Sequence, residues 1–482
     1  VAYLKRRSHS GKNGAKGVHE IEFYFGANLL LLSLIFSMSL LKDIFSRFFI
    51  KAEQKPDIAF GRYTDMYKTS GKSAQFERSL RHFDGGELLD SYRSFFAYLT
   101  DERFPEHIHI RDEGDILHFE FFQGSCLIRG HADGNGVRAG SRVARAGDLN
   151  VGFLRQLMEA NHRLSFSRFA LDHDNNLCIM FQTGALDASP LKLLHALREL
   201  AINADKKDDL LLEEFKSLTP APDQFRMDIL QQEKDVKYEY FRQEAEAALT
   251  LLETGKPDPN QYPGLYAYHF LGVAYKLDYL ILPEGFILDV LEKIHSAYFN
   301  KNQSPSQVRL QQVVKEFRRM LNRSKEEVQA EMYRTRSTFG VTPPLPHGSV
   351  AALIEKELPN MEWPLTNGHE KLAEGLPMYI ASYLLFHHAP PPPDRELLHL
   401  FFRVVENDYF TRLGFGRSYR DSSGRPDRQA VRAEINRIQN TYSSEYPKLK
   451  INPDKLDYSS VALFGKTFLQ LVMGIDLSQP DR

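Results

Sequence analysis

Asp115-Ile116-Leu117-His118-Phe119-Glu120-Phe121-Phe122 alternates apolar and polar side chains. Leu117, Phe119 and Phe121 fall on one side, and His118 and Glu120 on the other. A period of two marks a strand with one buried face. Outward from it, His107–Ile110 alternates in the same way, Gln123-Gly124 signals a turn, and Ser125–His131 reads as the next strand. Upstream, Glu87–Leu99 carries Leu88, Leu89, Tyr92, Phe95, Phe96 and Leu99 at helical spacing. Downstream, residues 132–146 read as a loop with Gly134, Gly136 and Gly140 among Arg138, Arg142 and Arg145. Asp148 caps a helix bearing Phe153, Leu154, Leu157 and Met158. Ser165–Leu171 and Leu177–Gln182 are two strands joined by the turn sequence Asp172-His173-Asp174-Asn175-Asn176. Ser189-Pro190 opens a final helix through Leu193, Leu197 and Leu200, interrupted at 205–209. The order implies an α+β domain, an antiparallel sheet with helices on one face.

Thr219-Pro220-Ala221-Pro222 is the expected linker, and beyond it helical spacing dominates. Phe225–Leu252, Tyr266–Tyr279, Pro283–Phe299, Ser304–Phe339, Asn367–His388, Asp394–Leu413, Arg428–Tyr442 and Ser459–Met473 read as helices. The expected organisation is a leader over 1–37, a helix and linker over 38–84, an α+β domain over 85–218 and a larger α-helical domain over 223–482. Pro-rich linkers carry few contacts, so proteolysis is expected at 219–222.

The chain has 482 residues, with 61 Lys and Arg against 63 Asp and Glu, a net charge of −2. That balance lacks the basic excess of a dedicated nucleic-acid binder, and no nucleic-acid partner is expected. The two cysteines, Cys126 and Cys178, exclude a disulfide scaffold and a four-thiolate zinc site, and fit a reducing compartment. Phe23–Leu41 is nineteen residues without charge, close to the about 20 a membrane helix needs. Three readings stand for this region: an over-extended start ahead of a native Met38, a membrane anchor over 23–41, or a secretory signal. The corresponding locations are cytoplasmic or, with the anchor, the inner membrane.

Two stretches carry a family resemblance: Ala160-Asn161-His162-Arg163-Leu164-Ser165-Phe166-Ser167-Arg168-Phe169-Ala170-Leu171-Asp172, and Leu193–Asp205 with its closing Ala204-Asp205. With the helix–strands–helix–hairpin–helix order, residues 85–216 resemble the type III secretion chaperone-like fold, particularly its YbjN-like branch. The resemblance implies a protein-binding module, often dimeric, that holds extended partner segments. The long helical half departs from the small stand-alone chaperones of that family.

Sequence motifs for chemistry fail at defining positions. Ser70-Gly71-Lys72-Ser73 lacks the leading glycine of a phosphate loop, since Met66 stands there. Asp172-x-Asp174-x-Asn176 has Leu177 and Thr183 where a calcium loop needs Gly and Glu. His369-Glu370 has no second zinc-binding His. His107 and His109 share a strand face without an evident third ligand. No catalytic, cofactor or metal residue is therefore assigned. The candidate anion- or partner-binding loops are Arg138, Arg142 and Arg145, then Arg412, Arg417, Arg420 and Arg425 with neighbouring Arg428. The expected function is a non-enzymatic adaptor holding a protein partner, or self-associating, through residues 85–216. A membrane-tethered scaffold and an enzyme with its site scattered over the helical half are the alternatives.

Overall fold

The computed structural model describes residues 56–146, 151–214, 218–220, 225–299 and 304–478. Of the described residues, those from 57 to 413 and from 418 to 478 form one compact unit. The run over 23–41 lies outside the described residues. Among those described, no helix is long and apolar enough to cross a membrane.

Helices α1 (Ser70–Asp84) and α2 (Leu88–Leu99) precede strands β1 (Ile108–Asp112), β2 (Ile116–Gly124), β3 (Cys126–Asp133) and β4 (Gly136–Ala146). Helix α3 (Val151–Arg163), strands β5 (Arg168–Leu171) and β6 (Asn176–Gly184), helix α4 (Pro190–Glu214) and strand β7 (Leu218–Pro220) complete this part. The sheet is antiparallel, in the order β1-β2-β3-β4-β6-β5, with β7 on β4. Phe119 faces Gly130 and Phe121 faces Ile128 across β2–β3, so the alternation read from the sequence points into the core. Tyr92, Phe95 and Phe96 of α2 and Leu193, Leu197 and Leu200 of α4 are buried against Leu117, Phe119, Ile128, Ile179 and Phe181. The sheet thus has its helices on one face. Gly130 lies beneath the Phe119 ring, where a Cβ would come within 2.3 Å of it.

The stretch 132–146, expected as a loop, instead holds the end of β3, a turn at Gly134-Asn135 and the central strand β4. Val137, Ala139 and Ser141 are buried, while Arg138 and Arg142 point to solvent. Arginine alternating with small residues suits a strand whose second face is wet. The interruption expected at 205–209 is also absent, since α4 runs through it. At the expected linker, Leu218–Pro220 is a strand paired with β4, and 221–224 lie outside the described residues.

The helical part comprises α5 (Gln231–Thr254), α6 (Pro263–Ile281), α7 (Gly285–Phe299), α8 (Ser306–Leu321), α9 (Lys325–Ala330), α10 (His347–Glu357), α11 (Glu362–Thr366), α12 (Glu370–His387), α13 (Pro392–Val405), α14 (Asn407–Arg412), α15 (Arg428–Tyr442) and α16 (Val461–Met473). Helix α6 is buried on nearly all sides, as its mostly apolar sequence requires. It packs closely on α12 where Gly272 meets the Tyr379 backbone, 3.1 Å from a would-be Cβ.

Ser304–Phe339 is not one helix. A capping box at Ser324 and Glu327 starts α9 afresh. Beyond it, β9 (Tyr333–Arg334) pairs with β8 (Met227–Asp228), and β10 (Arg336–Ser337) pairs with the end of β2. Phe339 then enters the α+β core, with its N–H and C=O bonded by the Gln123 amide at 3.0 and 3.1 Å.

The residues expected as a polar linker are equally built in. Gly61 adopts φ +71° and donates its N–H to the Tyr279 carbonyl at 2.8 Å. A Cβ there would meet the Tyr279 ring at 2.5 Å. Asp65 accepts from the Gly340 N–H at 2.9 Å and from Arg198 of α4 at 3.0 Å.

One ion pair in the helical part predicts a pH response. His347, at the start of α10, lies 3.0 and 3.1 Å from the two carboxylate oxygens of fully buried Asp394 in the first turn of α13. Burial alone would lower the His347 pKa, but its hydrogen bond to Asp394 and the charge of that carboxylate leave it raised above 6.5. A raised folded pKa means stability fully present below pH 6.5 and lost as pH rises through the folded value. His347→Gln should therefore cost more stability near pH 5.5 than near pH 9, read from urea midpoints. An equal cost at both would show that the imidazolium contributes nothing.

Candidate functional site

The cross-strand register decides which side chains share the face that the helices leave uncovered. His109 and Arg111 of β1 stand opposite Glu120 and His118 of β2. These in turn face Arg129 and His131 of β3, and His131 faces Arg138 of β4. Arg138 continues to Gln182 of β6, and Arg142 and Arg145 stand opposite Cys178 and Asn176. Arg168 of β5 lies beside Met180, which is 47% exposed. Six arginines and three histidines thus lie on one face, with Glu120 and Asp133 as the carboxylates at its strand positions.

The ion pairs there are open to water. Arg129 bonds Glu120 at 2.9 Å, Arg111 approaches Glu113 to 3.0 Å, and Arg142 lies 3.5 Å from Asp172. Gln182 accepts from Arg138 at 3.0 Å when its amide oxygen is turned toward the guanidinium. Exposed pairs of this kind contribute about 0–1 kcal/mol each, so the guanidinium groups can exchange these partners for an incoming anion. Burial acts to raise the Asp172 pKa, and hydrogen bonds from Asn176 and from backbone N–H groups hold it below the ordinary value. Those bonds shape the β5–β6 turn, with Asn175 at φ +59°, and give Asp172-x-Asp174-x-Asn176 a structural use.

Cys178 is on this face yet nearly buried, and burial pushes its thiol up to about 11. It is a protonated, unreactive group at neutral pH. Cys126 is in the core, and the two cysteines form no disulfide.

Of the residues singled out in the sequence, Arg138, Arg142 and Arg145 are brought together on β4. The second set is not gathered. Arg412 pairs with Glu239 of α5. Arg420 caps α13 by donating to the Val405 and Val404 carbonyls at 2.5 and 3.2 Å. Arg417 is half-buried in the loop that follows α14. Arg425 and Arg428 border an open cavity of about 450 Å³, but Asp421 and Asp427 line it too and offset their charge. His107 does not share a face with His109, because it lies in a buried turn and bonds the Ser337 carbonyl at 2.8 Å.

Sequence reading missed Arg111, Arg129, Arg168, His109 and His131 as members of the face. Parity was the available signal, since each sits one position from a core residue or an even number of positions from another outward one.

No protein-family model matches this sequence, and no curated protein matches it significantly.

Proposed function

We propose that the protein is a non-enzymatic binding module that holds an extended, acidic segment of a partner protein on the uncovered face of its sheet. The observation that carries this reading is the asymmetry of the sheet. One face is sealed by α2 and α4, and the other carries Arg111, Arg129, Arg138, Arg142, Arg145 and Arg168 in open register. Guanidinium groups recognise carboxylates through paired hydrogen bonds, and a flat array of them suits an extended chain better than a small substrate. The resemblance of residues 85–216 to secretion-chaperone-like modules supports the same reading. A cytoplasmic setting belongs to it as well, supported by two cysteines that form no disulfide.

The test compares the full chain with an Arg129→Glu, Arg138→Glu, Arg142→Glu variant against an array of extended Glu- and Asp-rich peptides. Wild type should retain acidic peptides in a salt-sensitive way, and the variant should lose them with its melting temperature little changed. Equal retention by both proteins would sink the proposal. Light scattering adds a second outcome: a dimer that dissociates in the variant makes the partner another copy of this chain.

A further inference from the structure

Helix α8 and the end of α5 border an open cavity of about 550 Å³ in the helical part. The sequence of α8 sets what faces it. Leu310, Val314, Lys315 and Arg318 recur at three- to five-residue steps and share one side of the helix. Leu310 and Val314 are buried, and with Leu252 of α5 and Pro259 of the following loop they give the cavity an apolar wall. Lys315, Arg318 and Arg319 line it as well, and among the described residues no carboxylate does. This excess of positive charge separates it from the cavity at Arg425 and Arg428, where Asp421 and Asp427 offset the arginines.

The loop that closes one side is held in place. Gln307 donates its side-chain N–H to the Asn260 carbonyl at 2.6 Å and ties the loop to α8. The Tyr266 hydroxyl donates to the Pro257 carbonyl at 2.8 Å, and the Asp258 carboxylate accepts from the Asn260 N–H at 2.9 Å. The cations are held more loosely. Arg318 approaches Glu253 only to 3.6 Å, with both side chains exposed. Arg319 rests over the Phe286 ring at 4.5 Å and reaches Glu316 at 3.2 Å. Exposed pairs of this kind are weak, so an incoming anion can replace the carboxylates.

We propose that this cavity binds a small amphipathic anion, its alkyl or aryl body against Leu252, Pro259, Leu310 and Val314, and its carboxylate or phosphate head between Lys315 and Arg318. The volume falls within the about 300–1,000 Å³ of small-molecule sites, which combine an apolar lining with a few placed polar groups. Guanidinium and ammonium groups bind either head through charge-assisted hydrogen bonds. The site lies on the helical part and does not depend on the reading of the sheet face.

The experiment titrates the full chain calorimetrically with decanoate and with decyl phosphate, both below micellar concentration. One molecule per chain is expected, and the tighter of the two identifies the head. Affinity should rise about two- to fourfold per methylene from hexanoate to decanoate, as burial of the body requires. Octanol should bind at least tenfold more weakly than octanoate. Lys315 and Arg318 are exposed, so Lys315→Gln, Arg318→Gln should keep the wild-type melting temperature while weakening decanoate by about 10–100-fold. Leu252→Gln should flatten the chain-length dependence. The Arg129→Glu, Arg138→Glu, Arg142→Glu variant should bind decanoate as wild type does, which keeps this site distinct from the sheet face. No saturable binding of either anion, or equal binding by wild type and the Lys315, Arg318 variant, would overturn the assignment. So would an acidic peptide that competes for Lys315 and Arg318 where decanoate does not bind, because the occupant would then be a protein segment.

Discussion

Lys276→Met should lower the unfolding free energy by about 3–5 kcal/mol at neutral pH, the cost of stranding buried charge. The Lys276 ammonium is 4% exposed and bridges Glu244 of α5 at 2.5 Å and Glu406, between α13 and α14, at 2.7 Å. Burial acts to lower its pKa, and the two carboxylates outweigh it and leave the group raised. The ring of Tyr240 lies 5.5 Å beneath the ammonium and stacks on Tyr409 at 4.1 Å. Methionine fills the volume but leaves two carboxylates facing each other. Burial already pushes the Glu406 carboxyl up, and loss of the ammonium pushes it further. A folded acid with a raised pKa binds protons that the unfolded chain has released, so the deficit should grow as pH rises from about 4.5 to 7. Urea unfolding at several pH values reads this directly. A deficit that is small and independent of pH would mean that water reaches the site and screens the glutamates. Adding Glu406→Leu to Lys276→Met should recover part of the loss.

Arg62→Ala should be of similar size, again about 3–5 kcal/mol, because it leaves the Asp278 carboxylate buried alone. Asp278 is 3% exposed at the end of α6, where the Arg62 guanidinium donates to it at 2.7 and 3.1 Å. The same guanidinium reaches Glu284 at 3.3 Å and the Pro283 carbonyl at 2.9 Å. Burial lifts the Asp278 pKa, and Arg62 opposes that lift. The double variant Arg62→Met, Asp278→Leu should regain most of the stability, since a buried ion pair replaced by apolar groups is often neutral. If the single variant unfolds at the wild-type urea concentration, residues 57–69 are not held in the way their hydrogen bonds indicate. If the double variant is as weak as the single, the loss comes from packing rather than stranded charge.

The α+β elements were legible because their signals are local. Leu117, Phe119 and Phe121 report their strand within five residues, and Ser189-Pro190 reports a helix start within two. The open, polar character of His118 and Glu120 was legible on the same grounds. Arg138, Arg142 and Arg145 drew attention through charge, yet they read as loop. Glycines and arginines look alike in a solvated loop and on the wet face of a central strand. Only pairing with β3 and β6 separates those two cases.

Alternation by itself determined that this chain builds a one-sided sheet, and helical spacing determined that mostly helix follows. Tertiary structure alone decided what completes these parts. Arg62 and Asp278 are 216 positions apart, as are Gln123 and Phe339. His295 and His387, whose ring centres lie 4.0 Å apart, come from helices separated by about seventy residues of the chain. Nothing in the neighbourhood of Arg62, Arg336 or His295 encodes those partners. An ion pair or a two-residue strand is too short to leave a period, and its energy is realised only when the chain closes a long loop. Periodicity records which face of an element is buried, whereas the identity of what buries it is a property of the assembled fold.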